Sequence, residues 1–493
     1  MISTLFKNKF ISYIILVTFT MAFFMAPKVT YAAAGDGLLV YAQTNITTPR
    51  YRTYTAGSPG SFSAEASAQA ANTQIQYVAM KTKPGATERI MGTLSTAASN
   101  NLTIQRWNGS SWVSPVEWQV TSNLYDMRVF DIIYENLSGK ALVVYSGDSA
   151  NPTRVYFRYW DGSSWSSPAN FTFTTDIQTI RWIGLASKLN SNEIAVVAVG
   201  DTTSVNARIW DPSSNSFPAS TESGLLGQVG SSAYAAFDTA YETQSGDLMV
   251  AWGSGPQSPY WNYATRVGST WNIVTNPPAL GGRTNDLTLA ASPLGTSNRI
   301  ALAAMDTLDD LSAARWDGSS WTVQADIDQS AYETAQSHNA DVAFAGTTDN
   351  AIIVYADSTD NTNVDWARSL GGGAFSIETD YTPGGTIAVE TIINLTADAN
   401  SSKAMLIRQQ IGDTRAHVYD ESRYGQSDQW GTPSGDDPLE NDPPSNYFEF
   451  FAFAWESVFN IPTLGVALTI VVISSFIAIM VKRRVILLKP SPA

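Results

Sequence analysis

The sequence predicts an all-β protein, a β-propeller of seven or eight four-stranded blades. Three observations predict it. A short phrase recurs: RWNGSSW ends at Trp112, RYWDGSSW at Trp165 and RWDGSSW at Trp321, with decayed copies ending at Phe217 and Trp271. The terminal aromatics Phe62, Trp112, Trp165, Phe217, Trp271, Trp321, Phe375 and Trp430 are spaced by 50, 53, 52, 54, 50, 54 and 55 residues. A period near fifty with several short strands per unit marks a propeller. Each unit also holds an apolar run of strand length, such as ALVVYSG, IAVVAVG, LMVAWG and AIIVYAD. Such runs suit strands buried on both faces.

Within a unit the strands follow in order. In the fifth they are read at 233–243, 247–253, 262–267 and 270–274. Asn-Gly and Asp-Gly between strand formers predict a tight hairpin joining the third and fourth strands, with both central residues at φ > 0. The first unit begins at its second strand, 38–43, and lacks an inner one. A strand lent between the two ends would close the ring. Lent by the last unit it leaves seven blades; eight recognisable units favour eight. An open solenoid or tandem sandwiches are the alternatives.

The ends give an address. Residues 1–34 read as a signal peptide: Lys7 and Lys9, an apolar run, then Ala32, Ala33 and Ala34. Residues 461–481 form an uncharged apolar stretch of spanning length, and Lys482, Arg483 and Arg484 open a basic tail, 482–493. These predict a single-pass protein of the cell membrane, with an extracellular ectodomain at 35–424 and a cytoplasmic C-terminus. Residues 425–446 read as an acidic Pro/Gly-rich stalk. Residues 447–460, rich in aromatics, read as a juxtamembrane segment at the membrane–water boundary.

Three basic residues lie in the leader and four in the tail, leaving 22 of 29 to face all 44 acidic residues. This charge disfavours nucleic acid as a partner. The absence of cysteine excludes disulfides and thiol chemistry.

Several residues are candidates for function. Trp107, Trp160, Trp210 and Trp316 recur at fixed positions and could either stack on sugar rings or fill the space between blades. Asp148, Asp201, Asp306 and Asp357 follow the second strands and could bind cations or sugar hydroxyls, or simply form Asx-turns. No cofactor is required; Ca²⁺ on the oxygen-rich loop 357–365 is the one metal considered, although EF-hand spacing is missing. Asn45, Asn101, Asn108, Asn136, Asn170, Asn394 and Asn400 head glycosylation sequons. Enzyme signatures are scarce: His338 and His417 are isolated, and no G-x-S-x-G occurs.

The W-D-G-x-x-W hairpin resembles the repeat of bacterial and fungal fucose-binding propeller lectins, and also the Asp-box turn of sialidase-like propellers. The resemblance covers about eight residues in each of the three good copies. In the lectins an Arg and a Glu from neighbouring strands join a Trp on the sugar. Arg158 and Arg315 lie near the hairpins here, without a recurring Glu. The C-terminus, from Asn460-Ile-Pro-Thr-Leu through the apolar stretch to the basic tail, resembles the tripartite sorting signals of prokaryotic surface proteins. That resemblance implies removal of the helix by a sortase, against permanent anchoring.

The expected function is non-catalytic recognition at the cell surface: adhesion, or binding of an extracellular glycan or protein. The alternatives are an extracellular propeller glycoside hydrolase or lyase, and a structural protein of the cell envelope.

Overall fold

The computed structural model describes residues 35–457, except 72–73, 96–100, 121–126, 147–150, 176, 333–337, 360–362, 379, 383–391, 411–412, 436–437 and 441–449. The leader, the 461–481 stretch and the tail lie outside the described residues. Among those described, no helix is long and apolar enough to cross a membrane.

Eight antiparallel sheets form, one per sequence unit. Their inner strands are Phe451–Trp455 in blade 1, Ile75–Thr82 in blade 2, Phe130–Tyr134 in blade 3, Ile180–Ser187 in blade 4, Phe237–Tyr241 in blade 5, Thr284–Ala291 in blade 6, Ala340–Phe344 in blade 7 and Ile392–Ala397 in blade 8. Each touches the inner strands of both neighbouring blades, so the eight close a ring around a central channel. The second strands, Ala141–Ser146, Ile194–Gly200, Ile300–Asp306 and Ala351–Tyr355 among them, are buried along their whole length. They lie inside a sheet and between neighbouring blades, which explains their unbroken apolar character. Outer strands such as Thr270–Val274 remain largely exposed.

The ring closes with the segment read from sequence as juxtamembrane. Phe451–Trp455 pairs antiparallel with Gly37–Tyr41, with Phe453 opposite Leu39. It supplies the inner strand that the first unit lacks. Its aromatics are core residues: Phe451, Phe453 and Trp455 are all buried, and Trp455 Nε1 donates to Thr396 O of blade 8 at 2.7 Å. An alternating aromatic run fits an inner strand as well as a membrane boundary, so its identity depends on the partner strand.

The stalk reading is also corrected. Trp430–Gly431 is the outer strand of blade 8. Ser434 bridges Ser61 of blade 1, and Glu440 bridges Thr414. Leu439 is buried, and its carbonyl accepts from Arg52 Nη2 at 3.0 Å. Acidic, Pro-rich composition does not keep this segment off the propeller, because its apolar and backbone groups find partners across the seam between blades 8 and 1.

A two-blade alternation overlies the period near fifty. Asp131, Asp238 and Asp341 occupy the second position of the inner strands of blades 3, 5 and 7. One oxygen of each accepts from the next residue in its own strand: Ile132, Thr239 and Val342. The other accepts from Leu185, Leu289 or Leu395 of the following blade, at 2.9, 2.8 and 2.7 Å. Each carboxylate thus staples two inner strands. In blade 1 the same position is Ala452.

Replacing Phe453 by Ala removes a buried ring from the closing strand. The expected loss is about 3–5 kcal/mol. Chemical denaturation checks it, and hydrogen exchange should show the amides of Gly37–Tyr41 losing protection before those of blade 5.

Candidate functional site

In a four-stranded antiparallel blade, the first-to-second loops and third-to-fourth hairpins share one face. The second-to-third loops lie on the other. The two sets of sequence candidates therefore occupy opposite faces.

The hairpins come first. Trp107 pairs with Trp112, Trp160 with Trp165 and Trp316 with Trp321, enclosing four-residue turns. In each, only the glycine has positive φ: Gly109, Gly162 and Gly318 near +100°. The two-residue turn expected from Asn-Gly and Asp-Gly is replaced by an Asx-turn. Asp161 Oδ1 accepts from Ser163 N at 2.7 Å and Ser164 N at 2.8 Å, and Asn108, Asp211 and Asp317 make matching bonds to their serines. The Ser164 and Ser163 N–H groups hold the Asp161 carboxyl down to about 2. The repeated Asp-x-Ser-Ser is consumed by its own turn.

The four candidate tryptophans are all buried. Trp210 Nε1 donates to Glu135 Oε1 and Trp316 Nε1 to Glu242 Oε1, each at 2.6 Å, from one blade to the previous one. Trp107 packs edge-on against Tyr51 of blade 1, at 5.4 Å between ring centroids. These three tie blades together and present no open face.

Trp160 is different. It lines a groove of about 370 Å³ between blades 2 and 3, with Gln105, Arg106, Ser114, Ser163 and Trp165. The Arg106 guanidinium lies 4.6 Å from the centre of the Trp160 ring. Its Nη1 is 3.4 Å from Glu88 Oε2, and both side chains are partly exposed. Trp165 is half-buried and meets Trp118 edge-on at 5.1 Å. Arg106 and the half-buried Trp165 thus meet at a groove floored by the buried Trp160, while Glu88, outside the lining, pairs with Arg106 and Lys83. Reading from sequence selected Trp160 but missed Arg106, Glu88 and Trp165. Arg106 precedes its own hairpin by one residue, whereas it serves the hairpin of the next blade; only blade order reveals the match. Arg158 instead covers Trp118, at 4.7 Å, and Arg315 is tied to the Gly372 carbonyl. A comparable triad on blades 7 and 8, Arg368, Glu421 and Tyr424, has its Arg and Glu buried and bonded to each other.

On the opposite face, the loop aspartates do not converge as a ring. Asp201 is ion-paired to Arg181. Asp357 Oδ1 accepts from Thr359 N at 2.6 Å and its Oδ2 from Ser330 Oγ at 2.8 Å. Asp306 Oδ1 caps its loop through Leu308 N at 2.8 Å. Asp148 and part of the loop at 357–365 lie outside the described residues. Of the sequons, Asn45 and Asn170 are exposed, and Asn101, Asn136 and Asn400 are half-buried. Asn108 is exposed but holds its turn. Asn394 is half-buried and lines the channel cavity.

The channel holds a cavity of about 410 Å³ beside Ala452, lined by Lys81, Arg128, Asp131, Asp238 and Asn394. Burial pushes Asp238 up to about 6 and Asp341 up to about 7, against the stapling N–H groups and the nearby His338. Their oxygens are already committed to those N–H groups, so they serve as staples. His338 Nδ1 lies 2.6 Å from Asp286 Oδ1, joining blades 7 and 6. His417 accepts from Arg408 Nε at 2.9 Å, and burial holds it neutral.

No family model matches the chain, and no curated protein matches it in sequence. Among solved structures it is similar to the BP39L lectin of Burkholderia pseudomallei, with a TM-score of 0.50 at 13% identity over 73% of this chain and 99% of that one. The six-bladed fucose-recognising lectin of Aleuria aurantia has a TM-score of 0.36 at 10% identity, over 63% of this chain and 98% of that one. AofleA of Arthrobotrys oligospora has 0.38 at 11%, over 63% and 87%.

The staples carry a pH signature. An unfolded Asp titrates near about 3.9. Between about pH 4 and 7 the native chain keeps protons on Asp238 and Asp341 that the unfolded chain has lost, so stability falls as pH rises through that window and levels off above it. Denaturation midpoints measured across this range check the slope. Asp341→Asn should flatten its upper part.

Proposed function

We propose that this protein recognises carbohydrate without catalysis, through the groove between blades 2 and 3. The observation that carries the reading is the groove that Arg106, Trp160 and Trp165 line together, with Glu88 paired to Arg106 beside it. Indole rings stack on the C–H faces of sugars, while a guanidinium and a carboxylate hydrogen-bond to adjacent hydroxyls. The groove lies toward the small end of the range for ligand sites, suiting one or two sugar rings. The lectin name of the bacterial neighbour supports the same ligand class.

In the same reading the propeller is displayed at the cell surface, exported by the 1–34 leader and held by the 461–481 span, where it acts in adhesion. Only residues 456–460 then separate the closing strand from the span. The hairpin face would turn toward the membrane and the Asp-loop face outward.

A glycan array probed with the full chain tests the proposal. Binding should be lost or fall at least about tenfold, the cost of roughly one charged hydrogen bond, in Arg106→Ala and in Glu88→Gln. Arg315→Ala, outside the groove, should bind as the parent does. Silence of the parent across the array, or turnover of any bound glycoside, would overturn the reading.

A further inference from the structure

A second cluster of polar groups, apart from the groove, lies in blade 6. Asp306 ends its second strand, Asp310 closes the following loop, and Asp326 lies near the end of its outer strand. One carboxylate oxygen from each falls within 4.8 Å of the others. That spacing matches the diameter of one coordination sphere, since calcium–oxygen bonds of about 2.3–2.6 Å place opposed ligands roughly 5 Å apart.

Two further observations point to a ligand. Asp306 is only 3% exposed, yet its Oδ2 has no hydrogen-bond partner, and neither has the buried Oδ1 of Asp326. Thr284 pairs with Asp306 across the ladder, and its Oγ1 is likewise buried without a partner. An orphaned buried oxygen costs about 1–3 kcal/mol, more for a charged group, and a cation would satisfy those of Asp306 and Asp326 at once. The site is also built to shape. Gly281 and Gly282 lie against the Asp326 and Asp306 carboxylates, where a Cβ on either would collide with them. Ser312 Oγ accepts from Gly281 N at 3.2 Å and Asp326 N at 3.1 Å, fixing the loop against the strand.

We propose that Asp306, Asp310 and Asp326 bind one divalent cation of the calcium type on the face opposite the hairpins. All three are hard oxygen donors, which favour calcium over the softer transition metals. Asp306, Asp326, Asp309 and Asp328 all lie close enough to Asp310 to repel its carboxylate. A cation relieves this crowding of like charge, and it locks the second-to-third loop of blade 6 onto the outer strand. The site is separate from the carbohydrate groove, so each can stand or fall alone.

The full chain, stripped with EDTA, is titrated with CaCl₂ and, in a second arm, with MgCl₂. Calorimetry should show one calcium per chain, with a higher Tm in calcium and weaker binding of magnesium. Asp326→Asn and Asp310→Asn should each weaken calcium binding by more than the roughly tenfold that loss of an outer-shell partner costs. Asp201→Asn, in the equivalent loop of blade 4, should bind as the parent does. Circular dichroism of the metal-free variants separates loss of the site from loss of fold. No calcium uptake by the parent, undiminished binding in both folded Asp variants, or a preference for magnesium would overturn the proposal.

Discussion

The pairing of Phe451–Trp455 with Gly37–Tyr41 is the contact on which the remaining structure depends. Seven blades are continuous in sequence, and each can nucleate beside its neighbour. The eighth sheet requires the two ends of the described chain to meet, more than 400 residues apart in sequence. Until they do, one inner strand is missing and two blade faces remain open. The closing strand carries Phe451, Phe453 and Trp455 because a strand won at such loop-closure cost must bury large apolar area in return. The packing of Leu439 and Ser434 across the same seam adds a second latch between blades 8 and 1.

Around this closed ring, polar groups act mainly as inter-blade ties. Asp131, Asp238 and Asp341 join inner strands in pairs, and Glu135 and Glu242 hold the indoles of the following blades. Both sets belong to odd-numbered blades. The staples therefore recur at every second seam, and other ties, such as Asp286 with His338 and Asn339, hold the seams between. Ala452, in place of the staple, leaves room in the channel at the closing blade.

Function is left to places where that tying is incomplete. Most seams are filled by aromatics, as where Tyr263 meets Trp316 and Trp321, or by sealed ion pairs such as Arg368–Glu421. The seam between blades 2 and 3 keeps the Arg106 guanidinium and the Trp165 indole within reach of solvent. The blade 6 loop keeps carboxylate oxygens without donors. Unsatisfied or exposed polar groups in an otherwise saturated framework are where ligands gain most, because the framework has already borne the ordering cost.

Much of the architecture was legible in the chain itself. The spacing of Phe62 through Trp430 marks the start of each outer strand region, and the apolar runs mark the second strands, since both follow from local periodicity. Trp160 could be singled out, but not distinguished from Trp107, Trp210 and Trp316, because identical local phrases meet different neighbours. Glu88 and Arg106 became part of a site only once blade 2 stood beside blade 3. The closing role of Phe451–Trp455 and the docking of 430–440 were likewise invisible, because composition reports a segment's chemistry but not its partner. The sequence by itself determined repeat, strand order and where the hairpins fall, though not their turn type, because these are short-range properties of the backbone and its nearest side chains. Tertiary structure alone decided closure, the identity of the open seam and the meeting of Asp306, Asp310 and Asp326, because each depends on contacts between residues that local pattern does not connect.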